Sequence, residues 1–197
     1  MKFLKQMLLL SLVLFSLQSK ASLLIEPHVA YGILGTSDYS VLGNTVKLTY
    51  SGPQYGARLG FQTFGLMGGI DYTRSSLKYK QEFLGATYES DNNRDQIGAF
   101  IGYKFPILLR VWGGYYFSDK VTSTTTNSQG NNGDYTSGSG TEIGIGFTGL
   151  PFLSVNLMYR TSSYDTDYDA SNGTKTTISP ALKTNEIALG VSLPLNL

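Results

Sequence analysis

The chain has 197 residues, enough for one domain and not comfortably for two, and it contains no cysteine, so disulfides, thiol catalysis and thiolate metal sites are excluded. Its 15 basic and 14 acidic residues leave no positive excess with which to hold a nucleic-acid backbone. Instead, 23 Gly, 14 Tyr and 10 Phe at only 15% charge suit tightly curved strands with a half-apolar surface and do not suit helices.

The first element in chain order is a targeting segment. Lys2 and Lys5 give a positive start, Met7 to Leu17 form an apolar stretch, and Ser19-Lys20-Ala21 is a small-x-small cleavage site. The apolar stretch is shorter than the ~20 residues a spanning helix needs. Residues 1–21 therefore read as a cleaved secretory signal peptide and residues 22–197 as the mature domain. Removing the signal leaves 12 basic and 14 acidic residues. No later run is long and apolar enough for a membrane helix, so a membrane would have to be crossed by strands.

From Leu23 onward, apolar and polar residues alternate in eight successive segments. The first sets Leu23, Ile25, Val29, Tyr31 and Ile33 against Glu26, His28, Ala30 and Gly32. The second sets Tyr55, Ala57, Leu59 and Phe61 against Gln54, Gly56, Arg58, Gly60 and Gln62, and the third sets Ile70 and Tyr72 against Gly69, Asp71 and Thr73. The fourth carries Ile97, Ala99, Ile101, Tyr103 and Phe105 opposite Gln96, Gly98, Gly102 and Lys104. The fifth opposes Leu109, Val111, Tyr115 and Phe117 to Arg110, Gly114 and Ser118. In the sixth, Ile143, Ile145 and Phe147 oppose Glu142, Gly144 and Gly146. In the seventh, Leu153, Val155, Leu157 and Tyr159 oppose Ser154, Asn156 and Arg160. The eighth runs Ile187, Leu189, Val191, Leu193, Leu195 and Leu197 against Glu186, Ala188, Gly190 and Ser192.

The connections decide what kind of sheet this is. Phe64-Gly65, Pro106 to Leu108 and Gly149 to Phe152 are tight turns, and the four intervening links are long and rich in Ser, Thr, Asn, Asp and Gly. Strict short–long alternation belongs to outer-membrane barrels, with short periplasmic turns and long external loops. Strands of ~9–11 residues match the tilted span of a bilayer. The fold predicted is all-β: an eight-stranded antiparallel up-and-down transmembrane β-barrel with four long extracellular hairpin loops and both termini periplasmic. Gly43-Asn44, Leu84-Gly85, Asn132-Gly133 and Asn172-Gly173 are turn signals near the loop centres. They predict hairpins that continue the strands at least in the third and fourth loops. For the first loop, a mobile polar loop is nearly as good a reading as a hairpin.

Closure of the sheet leaves one face to lipid and one to the lumen. The apolar face carries almost no charge. Its aromatics gather at both ends, with Phe61, Phe64, Phe105, Phe147 and Phe152 near the short turns and Tyr31, Tyr55, Tyr72, Tyr115 and Tyr159 toward the loops. The other face receives one charge from each strand: Glu26, Arg58, Asp71, Lys104, Arg110, Glu142, Arg160 and Glu186, with His28 besides. A two-residue turn at Phe64-Gly65 puts Arg58 opposite Asp71, and an odd third turn puts Glu142 opposite Arg160 beside Glu186. Lys104 and Arg110 fall opposite each other near the periplasmic rim, where water or lipid phosphate would relieve their repulsion. An eight-stranded interior is just wide enough for side chains to fill, and buried charges persist only when paired. The lumen is therefore predicted to be a salt-bridged structural plug.

With these features the chain resembles the small eight-stranded outer-membrane proteins of the OmpA-like and OmpX-like group over residues 22–197. The resemblance rests on architecture and on the terminal series Leu189, Val191, Leu193, Leu195 and Leu197. It implies that this series is the assembly signal recognised by the barrel-assembly machinery. Leu197 stands where the group carries an aromatic residue, usually Phe. The resemblance also implies a bacterial outer-membrane location, contact with membrane lipid and lipopolysaccharide, a monomer, and structural or adhesive roles, with lipid-modifying enzymes among the members.

Candidate sites are few. His28 is the only histidine and points into the lumen, away from the lipid-accessible edge where a lipid-modifying His with a Ser and an acid would stand. It reads as a histidine hydrogen-bonded among Glu26 and its neighbours. Asp165-x-Asp167-x-Asp169 has calcium-loop spacing, but Ala170 replaces the turn glycine and Thr176 the closing Glu, so it reads as a solvated acidic loop. The Ser/Thr tract from Thr122 to Ser128 is either adhesive or a plain solvated hairpin. No catalytic, cofactor or metal residues are assigned. A non-enzymatic surface protein whose loops serve envelope integrity or adhesion is the leading expectation. A narrow channel for ions or small solutes is the alternative, and a lipid-modifying enzyme comes third.

Overall fold

Backbone groups facing hydrocarbon must be paired within the protein, and this chain pairs them by closing one antiparallel sheet on itself. A computed structural model describes residues 21–41, 44–83, 85–124, 133–169 and 174–197. The long strands are β1 (Ser22–Val41), β2 (Asn44–Thr63), β3 (Leu66–Phe83), β4 (Ala86–Lys104), β5 (Leu109–Ser123), β6 (Gly133–Leu150), β7 (Leu153–Asp169) and β8 (Thr174–Ser192). Each pairs with its chain neighbour, and β1 also pairs with β8, which closes the ring.

The eighth predicted segment is interrupted at Pro194, which has no backbone donor. Its end resumes as β9 (Leu195–Asn196), which pairs with Leu24 and Ile25 of β1. Leu197 and Leu23 exchange both backbone hydrogen bonds at 2.9 Å, so the last residue is part of the seam.

The strands run 15 to 20 residues, longer than the membrane span, because they continue into the predicted loops. The first loop is a hairpin as well: β1 pairs with β2 as far as Val41 and Asn44. β3 and β4 pair to Phe83 and Ala86, and β7 and β8 to Asp169 and Thr174. Of the turn signals, Gly85 has φ +80°, while Gly43, Leu84, Asn132, Asn172 and Gly173 lie outside the described residues, as does most of the signal segment. Asp165 and Asp167 sit on the extended strand β7, not in a loop.

The short turns fix the register. Phe64 and Gly65 both have positive φ, 48° and 86°, the conformation of a two-residue type I′ hairpin, and Thr63 faces Leu66. At the second turn Lys104 faces Arg110, with Leu108 at φ +63°. At the third, Leu150 faces Leu153 across two residues, and a bulge beyond Phe147 restores the register that opposes Glu142 to Arg160. The exterior is apolar between two aromatic levels, and Phe61, Phe152, Tyr55 and Tyr115 are all more than half exposed. Above the tyrosines the outward face turns charged in opposed pairs: Arg74 faces Asp95, Lys78 faces Asp91, and Lys80 faces Glu89. That change of chemistry along the same strands marks where lipid ends and water begins.

Candidate functional site

The lumen holds the chemistry. Register places an acid, an arginine and an acid side by side on three consecutive strands, twice. Glu26, Arg58 and Asp71 form one row on β1, β2 and β3, and Glu142, Arg160 and Glu186 form the other on β6, β7 and β8. The rows meet across the barrel. Arg58 donates from Nε to Asp71 Oδ2 at 2.8 Å and from Nη2 to Glu142 Oε1 at 2.9 Å. Arg160 donates from Nη2 to Glu142 Oε2 at 2.6 Å and from Nη1 to Glu186 Oε2 at 3.3 Å. All six side chains are buried.

Two further arginines close the network. Arg110 turns inward, away from Lys104, and donates from Nη1 to Glu26 Oε2 at 2.8 Å and from Nη2 to Asn156 Oδ1 at 2.8 Å. Arg94 grips Asp119 with both ends, Nε to Oδ1 at 2.9 Å and Nη2 to Oδ2 at 2.6 Å, and reaches Glu186 Oε2 at 2.9 Å. Gln54 also donates to Glu186. Asp119 accepts in addition from Gln96 at 2.8 Å, Ser162 at 2.8 Å and Tyr164 at 2.9 Å. Paired, charge-assisted bonds of this kind are what let ionised groups stay inside a sheet closed to water.

Aromatic side chains are threaded through the charges. Two guanidinium groups lie over the Trp112 indole, Arg58 at 4.5 Å and Arg110 at 5.0 Å from the ring centroid, and the indole donates to Glu142 Oε1 at 2.7 Å. It lies flat over Gly144, where a Cβ would fall 2.1 Å from its ring, so only glycine admits it. Tyr116 donates to Glu142 Oε2 at 3.1 Å and stacks under Arg160. Leu24, Met67, Phe100, Trp112, Met158 and Ala188 pack as one apolar cluster, and Tyr50, Leu77, Tyr79, Val121, Tyr164 and Leu182 as a second on the loop side.

Of the residues predicted for the lumen, Lys104 is the exception and requires a correction. It stands half-exposed beside the second turn, has no ion pair among the described residues, and is where rim water can solvate it. The buried cation of β4 is Arg94, in a stretch read from sequence as external loop. His28 faces inward as expected, but its partner is Thr73, at 3.2 Å from Nε2, and not Glu26. Thr73 in turn donates to Asp71 at 3.2 Å, while His28 Nδ1 has no partner.

Asp119, Tyr116 and Trp112 were also missed, whereas Gln54 faces inward as the alternation of the second segment predicts. For Trp112 and Tyr116 the signal was available, because even-numbered positions of β5 face inward. For Asp119 it was not. A bulge past Tyr116 shifts the pairing, so parity reverses and an odd-numbered residue turns inward. The terminal series Leu189, Val191, Leu193, Leu195 and Leu197 faces outward throughout.

This geometry has solved counterparts. Neisserial surface protein A is 19% identical, with 89% of this chain and 99% of that chain covered at a TM-score of 0.52. Ail, the attachment invasion locus protein of Yersinia pestis, solved in complex with the heparin analogue sucrose octasulfate, is 15% identical, with 87% of this chain and 99% of that one covered at 0.53. Both are small eight-stranded outer-membrane barrels, and at such identities the likeness establishes the fold alone, an eight-stranded antiparallel β-barrel of the outer-membrane type. No protein-family model matches the chain, and no curated protein matches it in sequence.

Proposed function

We propose that the protein is a non-enzymatic surface protein of the bacterial outer membrane, a monomeric barrel that holds four hairpins outside the cell for envelope integrity or adhesion. The observation that carries this reading is the interlocked lumen. Five buried carboxylates (Glu26, Asp71, Asp119, Glu142, Glu186) are each held by at least one of four buried guanidinium groups. A conducting pore needs a continuous water path whose wall charges stay hydrated, whereas here the charges are spent on one another. His28 supports the non-enzymatic reading, because a lipid-modifying histidine would stand at the lipid edge and this one lies inside against Thr73. Planar-bilayer recording tests the plug. Purified protein is expected to insert without steady conductance, and steady single-channel steps would shift the reading to a narrow channel for ions or small solutes.

Export and assembly complete the proposal. Residues 1–21 act as a signal peptide, so the N-terminal sequence of protein isolated from outer membranes is expected to begin at Ser22. Leu189, Val191, Leu193, Leu195 and Leu197 act as the signal for the barrel-assembly machinery, with lipid and lipopolysaccharide surrounding the finished barrel. Leu197→Phe adds the terminal ring without disturbing a backbone pairing already made to Leu23. It is expected to raise the rate at which newly exported chains become heat-modifiable on gels. An unchanged or lower rate would remove Leu197 from the signal.

A further inference from the structure

The lipid-facing surface is not evenly ridged. One cross-strand row runs Gly68, Ile101, Gly113, Ile143 and Tyr159, from β3 to β7. Ile101 and Ile143 stand out, 64% and 65% exposed, and between them Gly113 has no side chain. A Cβ placed at Gly113 would meet only the Glu142 carbonyl oxygen, at 3.9 Å, so the gap is open. Two depressions adjoin there and share Ile101, Gly113 and Ile143. The upper, of about 600 Å³, reaches Tyr115 and Thr161, and the lower, of about 360 Å³, reaches Leu66 and Tyr103. Together they form one groove along β5.

We propose that this groove seats one lipid acyl chain as a site distinct from the surrounding annular lipid, an inference that rests on the membrane-barrel reading. The groove is continuous with the apolar belt, so hydrocarbon is what meets it in the membrane. Its one charged residue, Glu142, turns its side chain into the lumen. The hydroxyls of Thr141 and Thr161 at its upper end bond each other at 2.9 Å, and Tyr159 donates to Asn185 at 3.1 Å. Between the Tyr115 and Tyr103 rings at its two ends, the lining therefore asks for dispersion contact and not for hydrogen bonds, and an unfilled gap would forfeit that contact. From Tyr115 to Val111 the floor extends roughly 13 Å at strand rise, the reach of a methylene chain and too narrow a slot for a headgroup. A second barrel could fill it only by matching ridge to slot, whereas a flexible chain needs no such match.

Trp112, the only tryptophan, neighbours Gly113 in sequence and borders the lower depression; its indole lies on the lumen side of the same strand, so it reports on the groove through the thickness of the sheet. The full barrel is refolded into phosphatidylcholine vesicles whose acyl chains carry bromine at mid-chain, a short-range quencher. Partial quenching of Trp112 across the sheet is expected in the wild type, with most of it lost in Gly113→Leu and an intermediate loss in Gly113→Val. Val29→Leu, on the outward face of β1, is expected to quench like the wild type. Equal quenching in all four proteins, or none in the wild type, overturns the proposal. So does a cross-linked dimer that Gly113→Leu abolishes, which would assign the groove to a second copy. Heat-shifted gel mobility separates the two levels: a wild type that never shifts would sink the barrel reading itself, whereas a shifting barrel with unchanged quenching would sink only the groove.

Discussion

Glu142→Ala is expected to cost the folded barrel ~3–5 kcal/mol, the penalty for removing one partner from a buried ion network. Glu142 is the junction of the lumen. It accepts from Arg58 at 2.9 Å, Arg160 at 2.6 Å, Trp112 at 2.7 Å and Tyr116 at 3.1 Å. Its loss falls unevenly. Arg58 keeps its 2.8 Å bond to Asp71, but Arg160 keeps only the longer 3.3 Å contact to Glu186 among its carboxylates. Arg160 is thus the charge most nearly stranded, and Glu142→Ala combined with Arg160→Ala is expected to cost less than the two singles added together. Denaturant unfolding in phospholipid vesicles, followed by Trp112 emission, reads this as a lower midpoint at unchanged slope. A cost below about 1 kcal/mol, that of an exposed pair, would mean that water already reaches Glu142 and that the plug is open.

The Arg58–Asp71 pair and the Glu142–Arg160–Glu186 row were legible in the sequence for a physical reason, whereas the place of Glu26 beside Arg58, across the long first loop, was not. Strand pairing across a tight turn is arithmetic: once Phe64-Gly65 is a two-residue turn, Arg58 must oppose Asp71, and the same holds for Glu142 and Arg160 once the third turn's parity is set. The alternation that named the lipid face was equally visible, since lipid tolerates no charge on it.

What the sequence concealed lies where neighbouring in the sheet stops being the rule. Arg110 opposes Lys104 on the adjacent strand, yet bonds Glu26 from the other side of the lumen. An arginine long enough to cross a narrow barrel chooses among several acids, and register does not rank them. The upper part of the strands was hidden for another reason. Above the membrane both faces of a strand are polar, so Arg94 looks no different from the half-buried, outward-facing Asn93 and Asp95 beside it, although it points inward. Burial there comes from the barrel continuing past the bilayer, a property of eight strands together that no single segment displays.

That hidden level supplies the sharpest comparison between the two readings of β4. Lys104 and Arg94 lie on the same strand and both bear a positive charge, but only Arg94 is enclosed. Arg94→Ala leaves Asp119 with the neutral donors Gln96, Ser162 and Tyr164, and removes the 2.9 Å bond that ties this level to Glu186. The expected cost is again ~3–5 kcal/mol, because a buried carboxylate loses its counter-charge. Arg94→Lys is expected to recover only part of it, since an ammonium cannot hold both oxygens of Asp119 in the planar fork and reach Glu186 as well. Lys104→Ala, by contrast, is expected to fall within about 0.5 kcal/mol of the wild type, as a rim substitution should. Hydrogen exchange adds the location: amides of β4 and β5 near Asn92 and Val121 should open faster in Arg94→Ala, while those near the second turn keep wild-type rates. If Lys104→Ala proved the costlier of the two, the charge that holds β4 would lie at the periplasmic rim, and the upper barrel would be held by its tyrosines alone.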